Sequence, residues 1–299
     1  MTLASWNEGA ARAAILDYLA RIEADVAPAD RIAVVDNDGT LWCEKPGYVQ
    51  AFFLLQRLHE QAAADPDLAA RDVVQALLAN DLAAAQKAGP AEMASVLMNT
   101  YAGLTTEEFD AAVVEWLEGF RHPRFGVPFG GLVYAPMLEL LELLRAHGFR
   151  VYIVTGGGVD FVRPVGAQLY GVETDDIIGS AVEVEFERRD GRVVLTRTAR
   201  PAGSPNEGPP KVVSIHAHIG RRPIVAIGNT AGDREMLEFA HTGELPSLCL
   251  AIDHDDAERE YAYDGAALTD PDAEALVTTA ERFGWTVVSM RRDWSRVFA

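Results

Sequence analysis

Apolar positions along the chain repeat with two periods, and the alternation between them sets out an order of elements. Ile15, Tyr18, Leu19 and Ile22 recur at three- and four-residue spacing, which predicts an amphipathic helix over 6–25. Ser5-Trp6-Asn7-Glu8 at its start has the capping-box pattern. Ile32-Ala33-Val34-Val35 is a short continuous apolar run, the way a strand buried on both faces reads. A long stretch with helical spacing follows. Phe52, Phe53, Leu55 and Leu58 mark a helix within 48–64. Pro66 opens a second through Val73, Val74 and Leu77, and Pro90 a third through Met93, Val96 and Leu97. Thr105-x-x-Glu108 is a capping box for a fourth, with Phe109, Val113, Val114 and Leu117. Pro123, Pro128 and Gly130-Gly131 break the pattern.

Beyond Pro136 helices and strands alternate. A helix over Met137–Ala146 stops at Gly148, and a strand over Phe149–Val154 runs into Thr155-Gly156-Gly157-Gly158. A helix through Phe161, Val165 and Leu169 follows. Between 181 and 197 the period falls to two. Val182, Val184 and Phe186 alternate with Glu183, Glu185 and Glu187, and Asp190-Gly191 turns the chain into Val193-Val194-Leu195, which predicts a hairpin. A loop over 199–210 leads to Lys211 at the head of a helix over 212–219. Strands are predicted at 223–227, 248–252 and 286–288, with helices after Asp233 and over 273–283. This alternation predicts a parallel sheet in a layered α/β domain. Ordinary βα connections run to ~2–6 residues, so the helical stretch reads as an insert. The expected organisation is a three-layer, Rossmann-like core from 1–45 and 131–299, with an all-helical cap at 46–130.

Composition narrows the partners. Hydrophobic residues make up 49% of the chain and the net charge is −19, from 45 acids and 26 bases. That balance argues against sequence-independent binding to nucleic acid, which needs a basic footprint, and against attraction to anionic membranes. Met1–Asp25 lacks the basic and apolar regions of a secretory signal. Cys43 and Cys249 are too few for a disulfide framework, so a cytoplasmic protein is expected. His216 and His218 stand two apart on a helix and point to different sides, which makes a zinc pair improbable.

The polar residues at the predicted strand ends carry the chemistry. Asp36 and Asp38 leave the first strand at the sheet rim, where open α/β sheets bind ligands. Two anions so close call for a cation or a proton between them. Thr155 with Gly156 and Gly157 offers a hydroxyl and unobstructed N–H groups, a natural anion cradle. Lys211, one of three lysines in the chain, faces the helix dipole with the wrong sign, a penalty that a bound anion would reverse. His254-Asp255-Asp256 reads as an acidic loop.

Taken in order, Asp36-x-Asp38, Thr155, Lys211 and Asn229/Asp233 resemble the motif set of the haloacid dehalogenase-like hydrolases. The insert after the first motif and the hairpin before the lysine look most like the phosphoserine-phosphatase branch. The resemblance implies a nucleophilic Asp36 that forms an aspartyl-phosphate, and an Asp38 that protonates the leaving alkoxide and then deprotonates water. It implies that Thr155, Lys211, Gly156, Gly157 and Asn37 hold the phosphate, and that Mg2+ sits on Asp36, the Asp38 main-chain carbonyl, Asn229 and Asp233. Asn229 stands where the commonest pattern has Asp, which removes one charge. Trp42 and Glu44 are expected against the substrate: Trp42 as a ring for an amine, Glu44 one residue short of an acid that phosphoserine phosphatases use. The implied function is Mg2+-dependent hydrolysis of a small phosphorylated metabolite, with phosphoserine- or phosphocholine-like amine esters as the leading class. The alternatives are a phosphotransferase or mutase, a dehalogenase, and a non-catalytic regulatory relative. Asp38 and Asp233 argue against the dehalogenase, since carbon–halogen displacement needs neither an acid nor a metal. Oligomeric state has no signature in the sequence.

Overall fold

The computed structural model describes residues 3–81, 84–85, 87, 89–266 and 272–299. Six strands, β1 (Ile32–Val35), β2 (Arg150–Gly158), β3 (Ile177–Ser180), β6 (Val225–Gly228), β7 (Leu248–Asp253) and β8 (Thr286–Ser289), form one sheet in the order β3-β2-β1-β6-β7-β8. Every pairing is parallel. β1 lies between β2 and β6 and is buried along its whole length, which is why its run is apolar without alternation. Its side chains still divide by parity. Ala33 and Val35 face a layer with Ile15, Leu19, Met137, Leu140 and Phe161, while Ile32 and Val34 face Ile215, Met236, Leu237 and Ala280.

The first layer thus contains α1 (Ala10–Asp25), α7 (Ala135–Ala146) and α8 (Val159–Tyr170). The second contains α9 (Pro209–Ile219), α10 (Arg234–His241) and α11 (Leu276–Phe283). Between β1 and α7 lie α2 (Val49–Ala64), α3 (Pro66–Ala69), α4 (Asp72–Leu78), α5 (Pro90–Asn99) and α6 (Thr106–Gly119). Leu58, Val73, Val74, Leu77 and Val96 make a small core of their own, from α2, α4 and α5. Phe53 and the α6 residues Phe109, Val113, Trp116 and Leu117 belong instead to the main core, with Phe53 5.3 Å from the Phe161 ring. The inserted stretch is therefore half satellite and half continuation of the layer beneath it. A separate hairpin of β4 (Val182–Arg189) and β5 (Arg192–Pro201) turns at Asp190 and Gly191, both at positive φ.

Two sequence expectations need correction, and one strand was not foreseen. The capping box at Ser5 does not form: α1 starts at Ala10, with no side-chain cap. Ser5 instead gives its hydroxyl to Glu139 at 2.8 Å, and Trp6 bridges Trp294. Pairing with the end of the chain takes these residues before a local cap can. The box at Thr105 and Glu108, with no such competitor, forms in both directions (3.2 and 2.7 Å). β3 escaped the sequence reading because four residues ending in Gly179-Ser180 carry almost no periodic signal. Finally, β2 continues through Gly158 rather than ending at Val154.

Candidate active site

At the end of β1 the Asp36 N–H donates to the Ile227 carbonyl at 2.9 Å, which anchors the side chain at the sheet rim. The next residues close a tight loop. The Asn37 carbonyl accepts N–H groups from Thr40 (3.2 Å) and Leu41 (2.8 Å), and Gly39 returns its N–H to Trp42 O at 2.9 Å. Only glycine fits at 39. Its φ is +72°, and a Cβ there would lie 2.0 Å from Asn229 Nδ2. The loop turns Asp38 back over the rim, where the Trp42 indole N–H donates to Asp38 Oδ1 at 2.9 Å.

Lys211 reaches this loop from the first turn of α9, behind Pro209 and Pro210. It is 2% exposed, and its ammonium donates to Asp36 Oδ1 at 2.6 Å, Asp233 Oδ1 at 2.6 Å and Val154 O at 2.8 Å. Burial pushes the Lys211 pKa down, but Asp233 and Asp36 more than offset this and hold it above its ordinary value. Two carboxylates share this one cation. Asp36 is raised well above the usual carboxylate range, by burial first and then by Asp233, with Lys211 opposing. Asp233 is held from behind, its Oδ2 accepting N–H groups from Asn229 (3.0 Å) and Thr230 (3.1 Å). Asp38 is pushed up to about 6, by burial and by the nearby Glu44, against the Trp42 hydrogen bond.

Thr155 sits on the neighbouring strand, fully buried. Its hydroxyl accepts the Gly157 N–H at 3.0 Å, and its carbonyl accepts from Asn206 Nδ2 at 2.9 Å. A Cβ built on Gly157 would lie 3.3 Å from Thr155 Oγ1, 3.3 Å from Gln50 Oε1 and 3.6 Å from Asp38 Oδ2. That missing methyl marks a pocket where a threonine hydroxyl and the second carboxylate meet. Part of the expected anion cradle is already occupied, since Gly158 N–H donates to Gln50 of α2 at 2.7 Å. Above the rim opens a cavity of about 480 Å³, lined by Asp36, Asp38, Gly156, Gly157, Lys211 and Asp233, with walls from α2, α5 and the hairpin.

The family model of the haloacid dehalogenase-like hydrolases matches residues 33–238, which covers every motif just described. The chain belongs to this family. No curated protein sequence matches it. Among solved structures, this hydrolase is similar to a protein of unknown function from Bordetella pertussis Tohama I (18% identity, TM-score 0.51, covering 86% of this chain and 97% of that one). It is similar also to a functionally unknown protein from Anaerococcus prevotii DSM 20548 (16% identity, TM-score 0.52, 82% and 86% covered). Both likenesses concern the fold.

Within this hydrolase the remaining expected residues fall into place unevenly. Glu44 lines the cavity, 1% exposed; its Oε1 accepts from Asn229 Nδ2 at 3.0 Å, while its buried Oε2 has no partner among the described residues. Asn37 is fully buried and does not line the cavity, and its Oδ1 has no partner among the described residues. Trp42 is 0% exposed, packed against Phe161 and Tyr170, with its indole N–H spent on Asp38. That corrects its expected role: it supports Asp38 and leaves no ring face for a substrate. Asn229 also departs from expectation. Its side-chain oxygen accepts from Thr40 at 3.2 Å and its amide holds Glu44, so it ties two loops together away from the cavity lining.

The acidic-loop reading of 254–256 is corrected as well, because His254 is buried beside the first motif. Its Nε2 lies 2.7 Å from the Gly39 carbonyl and its Nδ1 3.2 Å from Glu260 Oε2. The carbonyl can only accept, so Nε2 carries the hydrogen wherever the proton shared with Glu260 resides. Tyr134 gives its hydroxyl to Glu260 at 3.1 Å, and Tyr263 stacks on the imidazole at 4.1 Å. The side chain thus pins the loop that presents Asp38. Gln50 and Asn206, which brace the tip of β2, were equally invisible: a polar residue in a helix's first turn or in a loop has many uses.

Proposed function

We propose that this hydrolase is a phosphomonoesterase that transfers the phosphoryl group of a small metabolite to Asp36 and then to water. The observation that carries the reading is Lys211. Its ammonium lies 2.6 Å from one oxygen of Asp36 and 2.6 Å from Asp233, and no hydrogen bond occupies the second Asp36 oxygen among the described residues. That oxygen attacks phosphorus in line as the ester P–O bond breaks. Asp38 gives its proton to the departing alkoxide. In the second half it takes a proton from water, whose oxygen attacks phosphorus and releases Asp36. A carboxyl near pKa 6 suits both duties. Gly156 and Gly157 line the cavity beside Asp38 and would face the phosphoryl oxygens, with Thr155 buried behind them and its hydroxyl accepting the Gly157 N–H.

Asp36 and Asp233 against one ammonium leave the rim with excess negative charge even while Asp38 holds its proton, which fits a divalent cation. Asp36 and Asp233, with the Asp38 main-chain carbonyl, would hold Mg2+. The described residues contain no cluster of three His, Cys, Asp or Glu side chains arranged for a metal, and this shell needs only two. Bound Mg2+ supplies charge to the phosphoryl oxygens during transfer. Asn229 gives the regulatory-relative reading no support here, because the residue already has a structural task in holding Glu44.

In this reading α2, α4 and α5 form a cap over the substrate, and the unpartnered Glu44 oxygen accepts an ammonium group on the leaving side. The cytoplasm is the compartment we assign, consistent with two free, buried cysteines. No helix among the described residues is long and apolar enough to cross a membrane. The test is turnover of p-nitrophenyl phosphate with Mg2+. Asp36→Asn is expected to abolish it and EDTA to suppress it. Full activity in the variant would overturn the nucleophile, and indifference to EDTA would favour a metal-free reaction on this fold.

A further inference from the structure

We infer that the esters this site takes have a leaving group that carries no carboxylate and lies against an apolar wall. The inference rests on the phosphomonoesterase reading and narrows it. Away from the rim the cavity wall is Ala51 and Leu54 of α2, Ala94, Leu97 and Met98 of α5, and Phe161 of α8. Only two cations line the same space among the described residues, and both are committed. Lys211 is held by Asp36 and Asp233. Arg197 is ion-paired with Asp160, lies 3.6 Å over the Phe109 ring, and has an Nε sealed from solvent. Six carboxylate residues, Asp36, Asp38, Glu44, Asp160, Glu207 and Asp233, share the lining. No lysine or arginine lies outside the described residues.

A substrate carboxylate entering here would lose its water and meet a surface that is apolar on one side and negative on the other. An alkyl or aryl group gains instead. Moving one methylene from water onto such a wall is worth about fourfold in affinity. Of the two amine esters that the sequence brings to mind, the carboxylate-free kind fits this cavity. At about 480 Å³ it has the size of an ordinary small-molecule site.

The test is kcat/KM of the full-length enzyme with Mg2+ on n-alkyl phosphates of increasing length, and on O-phosphoethanolamine against O-phosphoserine, which differ only by a carboxylate. We expect about a fourfold rise per methylene until the cavity is full, and phosphoethanolamine ahead of phosphoserine by at least about tenfold. A flat or falling alkyl series, or phosphoserine equal or better, overturns the inference. Met98→Lys puts a cation on the wall and should flatten the alkyl series and narrow the amine-ester gap; unchanged ratios would show that the wall does not select. p-Nitrophenyl phosphate separates the two levels. If the wild type does not hydrolyse it, the phosphomonoesterase reading itself fails; if it does, but with the opposite selectivity, only this inference fails.

Discussion

The floor of the cavity and its wall are built on opposite rules. On the floor, charges are buried and shared: Lys211 serves Asp36 and Asp233 at equal distances, and Asp233 is held in turn by two backbone N–H groups. On the wall, Leu54 of α2 and Leu97 and Met98 of α5 are partly buried apolar side chains, and α2 touches the rim through Gln50, which accepts the Gly158 N–H. The floor must hold a reacting atom to within a fraction of an ångström, so each polar group is fixed by another. The wall has only to exclude water and offer area, so it can change without disturbing the chemistry. In the proposed reading, reactivity is carried by the floor and selectivity mainly by the wall.

Breaking the floor should have the largest effects. Asp36→Asn is expected to lower single-turnover phosphoryl transfer by at least about 10⁴-fold, with the fold intact by circular dichroism. Lys211→Met strands Asp36 and Asp233 without their cation. Removing one member of a buried ion pair costs about 3–5 kcal/mol, so the urea midpoint should drop sharply; an unchanged midpoint would mean that the carboxylates are not ionised together. A smaller effect is expected at Asn229→Asp, which sets a carboxylate against the buried Glu44. We expect a loss of about 1–3 kcal/mol, recovered on adding Glu44→Gln. Additive losses in that double-mutant cycle would refute the coupling.

His254→Gln sharpens the comparison from behind the floor. It frees the Gly39 carbonyl and so loosens Asp38. If His254 positions the acid, turnover of alkyl phosphates should fall about tenfold while p-nitrophenyl phosphate, whose leaving group needs little protonation, falls much less. Equal losses on both would reduce His254 to a structural role. The smallest effect is expected at Phe186 of the hairpin, which is exposed and does not line the cavity. Phe186→Ser should move stability by no more than about 0.5 kcal/mol and leave turnover alone.

This division also explains what the sequence could disclose. Asp36, Asp38 and Lys211 are legible because each puts a charge at a strand end or in a first helical turn where it contradicts its local setting unless something is bound, whereas Asp233, an acid that a helix start favours, is legible only through its place in the ordered motif set. The parallel sheet was legible from runs such as Ile32–Val35, while the edge strand Ile177–Ser180 was too short to register. Trp42 illustrates the limit. Beside the motif an indole can face a ligand or the core, and only its contact with Tyr170, far along the chain, decides for the core. His254 is the converse case, a polar residue in an acidic run whose task depends on a carbonyl 215 positions away. Ser5 reads as a cap until the end of the chain is placed beside it.

The most direct test of the central claim is to find the phosphoryl group itself. Enzyme quenched in acid during a single turnover and reduced with borohydride should contain homoserine at position 36, the product expected of an aspartyl-phosphate, and aspartate at positions 38 and 233. Aspartate unchanged at position 36 under conditions that release phosphate, or homoserine at another position, would contradict it.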